Sequence, residues 1–155
     1  MKKKIAGMVV VMLVLAGSSG CALLEQVQQR LAVQNCKFHF VDARAHSFSL
    51  TDLSIDLHLK VTNPNPISVI IDKLDLLFFI NERETVTAAF GGGTIKTDEA
   101  ITMNTTVRIP ILKVGMMLVD IIRKKKKVTY KLEGDVYVNT SVGTFRFPVT
   151  ILKSH

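Results

Sequence analysis

Nine consecutive residues constrain this chain more than any others: Ser54-Ile55-Asp56-Leu57-His58-Leu59-Lys60-Val61-Thr62 alternates polar and apolar without a break. A period of two puts Ile55, Leu57, Leu59 and Val61 on one side of a strand, with Asp56, His58 and Lys60 on the other. Such a strand has one buried and one wet face, so it needs an apolar layer against it. Asn63-Pro64-Asn65-Pro66 follows at once. Each proline fixes φ and removes a backbone donor; each asparagine is pushed toward extended geometry and can bond its own backbone. The tetrad reads as a rigid crossing from one strand to the next.

The same period recurs downstream. Val69 to Asn81 is a denser apolar segment with Leu74, Leu76, Phe78 and Ile80 on one face. Thr85 to Phe90 and Ile101 to Ile109 follow, divided by Gly91-Gly92-Gly93, which reads as a turn. Val128, Tyr130, Leu132, Val136 and Val138 share one parity, with Gly134 in register as an expected bulge or bend. Phe145, Phe147, Val149 and Ile151 continue it after a hairpin link over Asn139 to Gly143. One segment differs: after Pro110, residues Ile111, Val114, Gly115, Leu118, Ile121 and Ile122 fall at helical spacing. About seven strands without βαβ alternation, plus one amphipathic helix before the last strand pair, describe a mainly β, antiparallel β-sandwich.

The N-terminus carries a different message. Lys2 to Lys4 precede an apolar run from Ile5 to Ala16, then Gly17-Ser18-Ser19-Gly20 and Cys21. A basic start, an apolar stretch shorter than the roughly 20 residues needed to span a bilayer, and a small-residue exit describe a secretory leader. Cys21 directly after Gly20 is the expected lipid-attachment site, with residues 1–20 the leader and 21–35 a lipidated tether or helical turn. Ser18 stands where a lipobox usually has leucine; an ordinary secreted chain cut near Ser18 is the alternative. Ala22 follows the cysteine in place of an aspartate, so the periplasmic side of the outer membrane is expected where the source has two membranes.

Without residues 1–20 the chain has 135 residues and 17 basic against 13 acidic side chains, a net of +4. Four of those cations form the run Lys124, Lys125, Lys126 and Lys127, so no broad basic face for nucleic acid is expected. The run is either a solvated helix terminus or a contact for anionic headgroups. Lipidation of Cys21 leaves Cys36 without an intramolecular partner; it is either a buried small hydrophobe or a pairing, reactive thiol. There is no Gly-x-Ser-x-Gly, phosphate loop or helical zinc-ligand pair, so no catalytic residue, cofactor or metal is expected. The spacing of Cys36 and His39 puts them on opposite faces of a strand. Asp52, Asp56 and His58 belong by parity to a wet face, and Asp72 and Asp75 flank Lys73 as solvated edge charges.

Taken together, the alternating strand, Asn63 to Pro66, the apolar strand ending in Phe79-Ile80-Asn81, and the strand leading into Pro110 and a helix resemble one known family. This is the type 2 late-embryogenesis-abundant family, whose unit is the WHy (water stress and hypersensitive response) domain. The resemblance covers Cys36 to Lys153 and departs from the family in the glycine-rich segment Gly91 to Glu99 and the four-lysine run. It implies a fibronectin-III-like sandwich over residues 36–153, no transferable catalytic residues, and a role in tolerance of desiccation, salt or other envelope stress. Bacterial members are often lipoproteins, in keeping with Cys21. The alternative role is an envelope adaptor that binds a partner protein or peptide through the sandwich edges.

Overall fold

The computed structural model describes residues 24, 27–113, 115, 128–140 and 143–154. Among the described residues there are seven strands: β1 (Lys37–Phe48), β2 (Asp52–Thr62), β3 (Val69–Ile80), β4 (Arg83–Ile95), β5 (Ala100–Pro110), β6 (Thr129–Thr140) and β7 (Gly143–Ser154). They make two antiparallel sheets, one in the order β1-β2-β5 and the other β4-β3-β6-β7. This three-plus-four sandwich matches the expected fold class and is of the fibronectin type III kind.

The alternating strand behaves as its pattern demands. Ile55, Leu57, Leu59 and Val61 of β2 all enter the core. They share one core with Leu74, Leu76 and Phe78 of β3, Leu132, Val136 and Val138 of β6, and Phe147 and Ile151 of β7. Full burial of each such side chain contributes about 1.5–3 kcal/mol, so this layer is what holds the sheets together. Phe40, Phe78 and Tyr130 add an aromatic cluster with ring centroids 5.6–6.2 Å apart.

Three expectations are corrected. Gly91-Gly92-Gly93 is not a turn but lies inside β4, where Gly93 pairs with Ile71 and Gly91 with Lys73. At this point β3 turns Asp72 and Lys73 outward in succession, and β4 does the same at Gly91 and Gly92. Both strands change parity together, and their backbones come so close that a Cβ at Gly92 would sit 2.1 Å from the Ile71 carbonyl oxygen. Glycine is required there by close approach, a use that composition alone cannot distinguish from a turn.

Gly134 is likewise neither bulge nor bend. It pairs with Leu76 on one side and Val149 on the other in unbroken registers. A Cβ at this position would lie 2.2 Å from the Asp75 carbonyl oxygen. Asp72 and Asp75, finally, are not edge charges, because β3 is interior to its sheet. The Asp72 carboxylate accepts the backbone N–H of Asn139, replacing a ladder bond where β3 and β6 diverge. Asp75 accepts from Lys73 Nζ at 2.5 Å.

The segment before the sandwich is helical. Helix α1, described at residue 24 and over 27–35, places Ala32 and Val33 in the core. Arg30 stacks over the Phe145 ring at 4.9 Å, which ties α1 to β7. Residues 111–113 are helical directly after Pro110; most of the helix expected as far as Ile122 lies outside the described residues. The hairpin expected over Asn139 to Gly143 closes through the pairing of Thr140 with Gly143.

Candidate functional site

The Asn63 to Pro66 tetrad lies at the end of the sandwich where α1, the β2–β3 link and the β4–β5 turn converge. Its prolines are exposed and its asparagines buried, Asn63 completely. Asn63 Nδ2 donates to the carbonyls of Ile67 at 2.8 Å, Ile95 at 3.0 Å and Lys96 at 3.1 Å. Asn63 Oδ1 accepts from the backbone N–H of Asn65 at 3.0 Å and from Asn65 Nδ2 at 2.7 Å. Asn65 Nδ2 also reaches the Ala32 carbonyl at 2.7 Å, and Asn35 Nδ2 donates to Asn65 Oδ1 at 3.2 Å. The backbone N–H of Asn63 is taken by the Glu99 carbonyl at 2.9 Å.

Two side chains thus satisfy backbone groups of three converging segments: α1, the β2–β3 link and the end of β4 with its following turn. Prolines suit the intervening positions because they need no acceptor. The tetrad joins β2 to β3, and the sequence reading took it as a strand-to-strand crossing. It missed the convergence, because the partners lie about 30 residues away on either side. The tetrad is structural: its amides are occupied by protein.

A second polar grouping covers the wet face of β1-β2-β5. His46 Nδ1 lies 2.9 Å from Asp56 Oδ2, and Thr106 donates to Asp56 Oδ1 at 2.6 Å. His58 Nδ1 approaches Asp42 Oδ1 to 2.6 Å without hydrogen-bond alignment, and Arg44 pairs with the same carboxylate at 2.7 Å. The Thr106 hydroxyl first, and His46 second, hold the Asp56 carboxyl below the usual range. At Asp42 desolvation acts upward, but Arg44 and His58 together outweigh it and the net shift is downward. His58 and Asp56 lie where parity put them; their cross-strand partners follow only from the pairing of β1 with β2 and β5. Among the described residues no group of three or more His, Cys, Asp or Glu could hold a metal ion.

Cys36 is buried, and its thiol donates toward the Ala32 carbonyl at 3.5 Å. Burial pushes it up to about 11, as suits a small hydrophobe. It borders an apolar cleft of about 290 Å³ at the seam between edge strands β1 and β7, lined also by Val33, Phe38, Val136 and Phe147. His39 is exposed on β1, away from this cleft. Cys21, the leader and Lys124 to Lys127 lie outside the described residues. Thr129, two residues after the lysine run, bonds Asn81 at the β3–β4 turn, the end of the sandwich opposite the tetrad.

The fold and its best-organised polar element define a class: an antiparallel sandwich of three and four strands, tied at one end by buried asparagines. The LEA_2 family model, described as late embryogenesis abundant protein, matches residues 58–151, and the chain belongs to that family. The match runs from the middle of β2 through most of β7 and includes the tetrad.

An uncharacterized protein of Methanocaldococcus jannaschii is 29% identical over 139 residues, covering 87% of this chain and 72% of the relative. A solution structure from Arabidopsis thaliana shares the fold with a TM-score of 0.60 at 18% identity, covering 76% of this chain and 79% of that one. A crystal structure from Archaeoglobus fulgidus does so with a TM-score of 0.51 at 12% identity, over 77% and 96% of the two chains. A third, of a protein provisionally described as late embryogenesis abundant (LEA), has a TM-score of 0.50 at 13% identity, over 92% and 82%.

Proposed function

We propose that this protein is a lipid-anchored, non-catalytic component of the cell envelope that protects its surroundings during desiccation or other envelope stress. Membership of the LEA_2 family carries the reading, since that family suggests a stress-related, non-enzymatic protein. The domain is of the WHy type, held by acyl chains on Cys21 at the periplasmic side of the outer membrane where two membranes are present. The run from Lys2 to Cys21 supports the anchor. Two or three acyl chains, at about 0.8 kcal/mol per buried CH₂, suffice for stable attachment.

The apolar cleft between β1 and β7 favours a second reading. Both strands are sheet edges, and a partner peptide could pair there while placing a side chain in the cleft. Two measurements separate the readings. Intact mass of membrane-extracted protein, beside Cys21→Ser, tests the anchor: an acylated species starting at Cys21, absent from the variant, is expected. Drying and rehydrating a labile enzyme with the protein tests protection. Recovery no better than with an unrelated β-sandwich at equal mass, together with a stable partner captured after detergent extraction, would favour the adaptor.

A further inference from the structure

Helix α1 has two apolar faces, and the core uses one of them. Ala32, Val33 and Cys36 point into the sandwich, whereas Leu24, Val27 and Leu31 are 64%, 54% and 55% exposed. At 100° per residue the latter three fall within an arc of about 60°, well round the helix from the core-facing side. Leu31 also borders a shallow hollow of about 230 Å³ with Pro66 and Ile67 of the β2–β3 link, so the apolar surface continues from helix to loop. The neighbouring exposed side chain Gln28 is uncharged, and the Arg30 guanidinium is held over Phe145.

We infer that α1 lies flat in the headgroup–acyl boundary of a membrane, with Leu24, Val27 and Leu31 inserted, and so docks the sandwich in one orientation. This rests on the lipid anchor proposed above. Leu24 is three residues from Cys21, at most about 11 Å of extended chain, so acylation of Cys21 holds this stripe at the bilayer surface. An exposed apolar stripe on a short helix at that position has the form of an interfacial helix. Arg30, the described cation of the helix, is held over Phe145, so the apolar stripe is the feature that meets lipid. The tetrad end then faces the bilayer. The opposite end, with Leu50 at 97% exposure and Thr129 just after the lysine run, points away by about 35 Å, the length of β2.

The chain has no tryptophan, which makes a test direct. Full-length protein extracted from membranes is reconstituted into phosphatidylcholine vesicles with brominated acyl chains, as single variants L31W, R30W and L50W. Positions 30 and 31 are equally tethered but differ by about 100° around the helix. Quenching of L31W at least threefold above R30W, with L50W unquenched, is the expected result. Equal quenching of L31W and R30W, or none, in protein whose intact mass shows acylation overturns the docking and leaves the anchor standing. Strong L31W quenching in protein that proves unacylated supports the docking and removes the anchor. An unacylated chain without quenching removes both.

Discussion

The side-chain carbonyl of Asn63 accepts both the backbone N–H of Asn65, at 3.0 Å, and the Asn65 side-chain amide, at 2.7 Å. One buried asparagine thereby orients the other, and the second reaches back to the Ala32 carbonyl of α1. The fold relies on this pair at the end where α1, the β2–β3 link and the β4–β5 turn meet.

Asn63→Ala is therefore expected to destabilise the protein by about 3 kcal/mol or more. It strands the Ile67, Ile95 and Lys96 carbonyls and the Asn65 amide, and each buried unpaired group costs about 1–3 kcal/mol. Asn63→Asp is no remedy, since a carboxylate cannot donate to those carbonyls. Pro64→Ala, at an exposed position, acts mainly by loosening the unfolded chain and costs about 0.4–1 kcal/mol. Urea unfolding of the three variants checks the order; a mild Asn63→Ala would mean that water replaces the amide.

Adjacent glycines are expected to answer differently to alanine. Gly92→Ala and Gly134→Ala push a methyl against backbone carbonyls 2.1 Å and 2.2 Å away and cost about 3 kcal/mol or more. Gly91→Ala meets nothing within 4 Å and is expected to be neutral or slightly stabilising. Thermal melts of the three single variants settle this, with Gly91 and Gly92 as the sharper comparison.

Cys36 is expected to resist alkylation in the folded protein at pH 8 and to react once unfolded. Its folded value, pushed up by burial to about 11, exceeds the ordinary thiol value of 9.0. The unfolded chain therefore loses this proton first as pH rises. Stability attributable to the thiol is complete below about pH 9 and is lost as pH climbs through 11. Denaturant midpoints at pH 8 and pH 10.5, compared with those of Cys36→Ala, should show a steeper fall in the wild type.

Acid should act through the wet face of β1-β2-β5. Asp56 and Asp42 are both held below the ordinary carboxylate value of 3.8. Each favours the folded state above that value, and the benefit disappears as pH falls through the lower folded one. Asp56→Asn is expected to flatten the stability profile below pH 4 and to lower stability slightly above it, the loss being small because the pair is exposed. A profile between pH 2 and 6 with the same slope in variant and wild type would count against this role.

Alternation made β2 and the inward faces of β6 and β7 legible, since a period of two has one meaning once a face must be buried. Glycines were the weak point. At Gly92 and Gly134 the residue type was noted, but a turn, a bulge and a close backbone approach all call for the same missing Cβ. Asp72 was misplaced for a related reason: an interior strand whose parity changes exposes two polar residues in a row, just as an edge does. The tetrad was recognised as rigid, but its partners near residues 32 and 96 left no local trace, because hydrogen bonds of such separation follow no period.

What the sequence determined by itself is the class of fold and the positions of most strands along the chain, because hydrophobic periodicity is local and each strand carries its own copy; the order of strands within the two sheets came from the tertiary structure. Membership of the family was legible for the same reason, in the short run from the alternating strand through Asn63 to Pro66. Only the tertiary structure decided that Asn63 and Asn65 close one end of the sandwich and that the glycines admit neighbouring backbones. It alone left Leu24, Val27 and Leu31 outside the core. Each of these depends on which distant segments share a surface, and that is fixed by packing the two sheets and the helix together.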